Sequence, residues 1–442
     1  MSRLMKRPVR APRGTATRIG AAGSACAVGM VIALAACSSG GGSAGAARPV
    51  STTVTSTCPN KSGNLTIGFL GAYTGNESFL GPDMYFGVKA ALAEINAAGG
   101  VLGCKVGTTT GDTANDPVDA VPAYRKIASQ GVPVIIGPTS EGESALPDML
   151  RQQVPTFIQG GTTALDHITG NPYFFRTTPS DSVQAQAMAF FAIQKGWKRA
   201  ALAFTNDTGS TPLVAPLKAA FAKLGGTIVD VASLVPDQAN YQSAVASLQA
   251  AKPQVVFIQQ DPQTAGTFFS EVSSAGFDAQ TNWIGTNVED TSDVFKAIGA
   301  TAATTNFYAT NGVSQGGSAL TTFTQWYQKV NNTTVPANLS EMAYDATIIA
   351  ALAIDRAGSL SGSAVAPQVT QVSSPPGQTV YNYADGLAAL KAGKKINYDG
   401  VASTDDFNQY HNVEGPFGVY VFDKTGNTKQ VASISAQDLQ DA

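Results

Sequence analysis

The segment from Gly87 to Pro117, GVKAALAEINAAGGVLGCKVGTTTGDTANDP, spells one helix, its stop, one strand and the start of the next helix. Met84, Val88, Ala91, Leu92 and Ile95 recur at helical spacing, which predicts a helix over Asp83 to Ala98 with one buried stripe. Gly99 and Gly100 can take the left-handed backbone that closes a helix, and Lys105 to Thr110 has the β-branched content of a strand. Asp116-Pro117 restarts a helix. The aspartate can accept a hydrogen bond from the free amides of the first turn, and proline at the first helical position forfeits no bond.

The alternation continues. Strands are predicted at Leu65 to Leu70, Lys105 to Thr110, Val134 to Gly137, Thr156 to Gln159, Ala200 to Thr205, Thr227 to Leu234, Val255 to Gln259 and Asn282 to Gly285. Helical patterns fall between them at Val118 to Gln130, Ser182 to Gly196, Pro212 to Leu224, Asn240 to Ala250 and Gln263 to Ala275. Such a series implies an α/β fold with parallel sheets covered on both faces, and its length implies two domains. Two stretches break the pattern: Gly358 to Tyr381 reads as a surface insertion, and Tyr398 to Val413 as a solvated loop or a shaper of a cleft rim.

The Gly87 to Pro117 segment, preceded by GAYTG at 71 to 75 and followed by IIGPTS at 135 to 140, resembles the signature of the branched-chain amino-acid-binding proteins of ABC importers. Glu94 to Gly103 (EINAAGGVLG), Asp116-Pro117, Phe175 to Asp181 (FRTTPSD) and Ala343 to Ala346 (AYDA) carry the likeness, which spans Leu65 to the C-terminus. The resemblance implies the type I periplasmic-binding-protein fold: two lobes, each with a mainly parallel sheet flanked by helices, joined by a three-stranded hinge. Carried over, lobe 1 holds 64 to 181 plus 312 to 408, and lobe 2 holds 182 to 311 plus 409 to 442. The family's late element falls either at Asp406-Phe407-Asn408 or at Asp423 to Gly426.

The first residues carry Arg3, Lys6, Arg7, Arg10, Arg13 and Arg18 with no acid, and an apolar run from Ala21 to Ala36 follows, as in a secretory signal over 1 to 36. Leu34-Ala35-Ala36-Cys37 resembles a bacterial lipobox, which makes Cys37 the lipidated first residue; cleavage after Ala36 without lipid is the alternative. Residues 37 to 63 then read as a flexible tether, too poor in large apolar groups to fold. Loss of 1 to 36 removes six basic residues and takes the formal charge from −3 to −9, which disfavours nucleic acid as a partner. Of the remaining cysteines, Cys58 and Cys104 are expected to bridge in an oxidising compartment, with two free thiols as the alternative.

In open α/β sheets ligands bind beyond the C-terminal ends of strands. This selects Ser140 and Glu141 in the loop after Val134 to Gly137, and Gly161, Thr162 and Thr163 after Thr156 to Gln159. The resembled family holds a ligand's carboxylate and amino groups at these loops; helix capping by the hydroxyls is the structural alternative. Tyr73 and Phe79 fall where the family places an apolar contact. Lobe 2 departs from the family: Asn206-Asp207-Thr208-Gly209 puts threonine in a tyrosine's place, and Thr286-Asn287-Val288-Glu289 puts Asn287 near the usual glutamate. Asp207, Thr208, Asp261, Asn287 and Glu289 are therefore the lobe 2 candidates, and the orientation of their acids is expected to decide between an amino acid and an amide or carboxylate.

Catalysis is not expected. Gly137 to Gly142 is one residue longer than a G-x-S-x-G elbow, so a serine hydrolase built on Ser140, Asp405 or Asp406 and His411 is only the outside alternative. His167 reads as a surface residue, and two histidines leave no metal ligand set. No P-loop or dinucleotide fingerprint is present, and no cofactor is expected. The expectation is a monomeric, lipid-anchored, extracytoplasmic binding protein that closes on a small molecule and serves an ABC permease; a sensory receptor subunit of the same fold is the alternative.

Overall fold

The computed structural model describes residues 58, 59, 61–75, 77–314, 316–435, 438 and 439. The expected secretory signal, the expected lipidation at Cys37 and most of the expected tether fall on residues outside the described ones. From Asn64 the chain builds β1 (Asn64–Gly71), α1 (Leu80–Ala97), β2 (Lys105–Asp112), α2 (Pro117–Ala128), β3 (Ile135–Ile136), α3 (Leu146–Gln152), β4 (Thr156–Ile158) and β5 (Phe174–Arg176). These strands form one parallel sheet in the order β2-β1-β3-β4-β5.

The chain then crosses into a second sheet. It makes α4 (Asp181–Gln194), β6 (Arg199–Thr205), α5 (Thr211–Lys223), β7 (Thr227–Leu234), α6 (Gln242–Ala251), β8 (Val255–Gln259), α7 (Pro262–Ser274), β9 (Asn282–Gly285), α8 (Ser292–Ile298), α9 (Ala300–Ala303) and β10 (Phe307–Gly312). It returns to the first lobe for α10 (Gly317–Asn331), α11 (Ser340–Ala357), α12 (Gly362–Ser373), β11 (Gln378–Val380), α13 (Tyr383–Lys391) and β12 (Ile396–Tyr398). It leaves again for β13 (Phe417–Phe422) and β14 (Thr428–Ile434). The second sheet runs β14-β13-β10-β9-β8-β6-β7, parallel except for the antiparallel pairs β10-β13 and β13-β14. The α/β class and the two-lobed, mainly parallel architecture are as the sequence and its resemblance implied.

Burial follows the two-residue period of a strand. In β8, Val255 and Phe257 pack with α4 and α5 residues on one face, while Val256 and Ile258 pack with α6 and α7 residues on the other. A strand covered on both faces is apolar throughout, and this one is fully buried. Three passages join the lobes, through 177–180, 313–314 and 413–416. They lie side by side: Val413 N–H donates to the Arg176 carbonyl at 3.2 Å and Val313 N–H to the Pro416 carbonyl at 3.2 Å.

Two expectations need correction. The stretch 358–381 is not a surface insertion, because it forms α12, whose Val365, Val369 and Val372 are fully buried in the first lobe's core. The stretch 398–413 is not a solvated loop either. The Asp345 carboxylate of α11 accepts hydrogen bonds from Tyr398 Oη and from the backbone N–H groups of Val401 and Ala402, and Asn412 pairs with Arg176 at the sheet edge. None of the residues that shape the cleft comes from it. Short composition-biased runs of this kind hide their burial, which depends on partners far away in sequence.

The Gly87 to Pro117 reading holds in detail. Gly99 and Gly100 have φ of +106° and +77°, Asp116 accepts from the Val118 N–H, and Pro117 opens α2. A disulfide joins Cys58 to Cys104, with Cα atoms 4.8 Å apart.

Candidate functional site

Where the passages meet the sheets, a cleft opens between the lobes with about 540 Å³ of empty space, its mouth included. Its floor comes from loops that two glycines bring together. A β-carbon on Gly160 would lie 2.5 Å from the Ser140 amide nitrogen, and one on Gly161 would lie 2.0 Å from Asp181 Oδ1. The β3 loop, the β4 loop and the start of α4 can therefore touch only because side chains are absent there. Arg176, 1% exposed, fixes this floor from behind. Its guanidinium donates to the carbonyls of Gly161 and Thr162 at 3.3 and 3.1 Å and pairs with Asp166 at 2.7 Å.

The lobes also meet across the cleft. Asn287 Nδ2 of the second lobe donates to Asn338 Oδ1 of the first at 3.2 Å, and Glu77 of the first lobe stands against Gly209 of the second.

Of the residues singled out in the sequence, Ser140, Gly161 and Asn287 line the cleft. Glu141 is turned into the first lobe, where it accepts from the hydroxyls of Thr113 and Thr139. Thr162 is buried, and Thr163 starts the short helical turn beyond it. Phe79 packs on the first lobe's core; Tyr73 is 37% exposed and makes an edge contact with Phe69. Asp207 Oδ1 closes its own turn by accepting from the Gly209 and Ser210 amides, and the Thr208 hydroxyl is buried without a partner. Asp261 caps α7 through the amides of Gln263 and Thr264. Glu289 is fully buried and ties the β8 and β9 loops together through the Gln260 and Thr286 amides. Burial pushes its carboxyl up to about 8.

The cleft's acids are others, Glu77 and Asp181. Glu77 follows the GAYTG turn, and Asp181 ends the FRTTPSD run quoted above, so the nearest sequence signal was their adjacency to family motifs. Asn115, Gln159, Gln184 and Gln259 add amide side chains to the wall, and Leu80, Pro179, Val288 and Leu339 add apolar surface. Pro179 and Val288 lie within runs quoted above; no sequence pattern marked the others as cleft residues, because each reaches the cleft from a different element. Burial is the main cause that raises Asp181, to about 7, with Arg176 opposing.

The serine-hydrolase constellation does not assemble. His411 stacks on Phe175, donates from Nδ1 to the Phe174 carbonyl at 2.9 Å, and is not a wall residue; Asp405 is buried against Ser403. Among the described residues no cluster of His, Cys, Asp and Glu could hold a metal ion.

Residues 64–429 match the profile described as periplasmic binding protein. The Leu/Ile/Val-binding protein homolog 3 of Brucella melitensis is 27% identical over 317 residues, 71% of this chain and 84% of that protein. The chemotactic signal transduction system substrate-binding protein BasB of Halobacterium salinarum is 26% identical over 359 residues, 77% of this chain and 83% of that one. Among solved structures, the branched-chain amino acid transporter substrate binding protein LivJ from Streptococcus pneumoniae, in complex with isoleucine, superposes with a TM-score of 0.69 at 20% identity. The superposition covers 84% of this chain and 99% of that one.

Proposed function

Since the chain belongs to the periplasmic binding protein family, whose members bind solutes rather than catalyse, we propose that it captures a small polar molecule by hinge closure and delivers it to an ABC permease. The observation that carries this reading is a cleft walled by both lobes and set where three chain passages join them. Passages of irregular backbone can absorb the dihedral changes of closure, and a wall split between lobes makes the ligand the bridge that stabilises the closed form. Ser140 and Gly161 would meet the ligand first, and Asn287 and the Gly209 loop would then close over it. Export and a lipid anchor at Cys37 would hold the protein, as a monomer, beside the permease.

Thermal-shift screening against amino acids, amides and aromatic carboxylates checks the reading, because a ligand at 100 times its Kd stabilises the protein by about 2.7 kcal/mol. Ser140→Ala is expected to weaken a hit about tenfold by removing one hydrogen bond. Unchanged affinity in that variant would move the site elsewhere. The relationship to a chemotactic binding protein supports a second reading, in which the closed form is presented to a sensor. Co-purification with a permease rather than a receptor would separate the two.

A further inference from the structure

The cleft's polar wall is biased toward acceptors. Its carboxyls are Glu77 and Asp181, and no lysine, arginine or histidine among the described residues stands on it. Its amides spend N–H groups on the protein: Asn115 Nδ2 on Glu77 Oε2 at 2.8 Å, Gln184 Nε2 on the Thr310 carbonyl at 3.1 Å, and Gln259 Nε2 on the Gly209 carbonyl at 3.1 Å. Among the described residues the oxygens of these three amides receive no protein donor. Asp181 Oδ2 also has no partner, although the residue is only 9% exposed.

The two carboxyls differ in what stands behind them. Asp181 has the Arg176 guanidinium opposing its burial. Glu77 is 3% exposed, and the charged groups around it are all acids: Asp207, Glu141 and Asp261. The outer oxygens of Asp207 and Asp261 are themselves buried and unpaired. Burial and these like charges hold the Glu77 carboxyl well above its ordinary range, with the Asn115 amide opposing. An anion placed there would add negative charge without a counter-ion, whereas a cationic nitrogen would offset the like charges and donate to the surrounding oxygens.

We propose that the ligand carries a positively charged nitrogen, as an amine, amidine or guanidine, seated against Glu77 beneath the Gly209 loop. This rests on the solute-binding reading above and narrows its ligand class. Titration calorimetry of the full chain tests it with matched compounds differing only in charge: an alkylamine, its guanidine, the α-amino acid of the same side chain, and the deaminated carboxylate.

The nitrogen-bearing members are expected to bind and the carboxylate not to bind. Glu77→Gln should weaken the cations about 10- to 100-fold, as loss of a charged hydrogen bond implies, without lowering Tm. Asp181→Asn serves as the second variant and should weaken the same compounds. Binding confined to the carboxylate, or cation affinity unchanged in both variants, would overturn the proposal. Absence of binding by every member would also overturn the proposal, and a hit among the amides or aromatic carboxylates of the thermal-shift screen would then leave the solute-binding reading standing.

Discussion

Glu94 sits in the most family-like stretch of the chain, yet it does not line the cleft. Its carboxylate accepts from the Tyr344 hydroxyl and, at 2.6 Å, from the Tyr383 N–H, which ties α1 to α11 and to the start of α13. The signature acid is thus a structural bolt. Glu94→Ala would leave a buried hydroxyl and a buried amide unpaired, and the expected loss in denaturant unfolding is about 3 kcal/mol with ligand affinity unchanged. Glu77 and Asp181, which do line the cleft, differ from Glu94 in where the chain places them: before α1 and at the start of α4 rather than inside α1. One carboxylate looks like another in a sequence, and its surroundings are supplied by segments hundreds of positions away, as Tyr383 is to Glu94.

At the scale of elements, the crossing of α1 with α11 depends on Gly87. A β-carbon there would lie 1.8 Å from the Ser340 carbonyl oxygen, so the helices touch backbone to backbone. Gly87→Ala must push them apart. An overpacking cost of about 1–3 kcal/mol or more exceeds the roughly 1 kcal/mol that alanine returns in helix propensity, so a net loss in chemical denaturation is expected. A stabilised variant would contradict the crossing. The helix itself was legible from its apolar spacing, whereas the need for glycine inside it was not. The short strands were harder still: β5 has three residues, one of them Arg176, and no periodicity can announce so brief a run.

For the whole molecule, burial raises several carboxyls: Glu289 to about 8, and Asp181, Asp290 and Glu341 to about 7. In the unfolded chain they ionise near pH 4, so between about pH 4 and 8 the folded state binds more protons. Stability therefore falls as pH rises through that window, by about 1.4 kcal/mol per pH unit for each proton held, and levels off above it. Asp112 is shifted the other way by the hydrogen bonds of the Tyr73 loop, but its window lies below pH 4. Tm is expected to be higher at pH 5 than at pH 8.5, and the opposite order would refute the assignment of these groups. The sequence by itself determined the strand–helix alternation and the caps of the first unit, because period, glycine and proline act on neighbouring residues. Membership of the family was readable from the same local motifs. Only the tertiary structure decided which acids face the cleft, that 358–381 and 398–413 are buried, and that Gly160 and Gly161 are there to let three loops meet. Each of those depends on which distant surfaces come into contact, and contact between distant segments is what folding adds to local pattern.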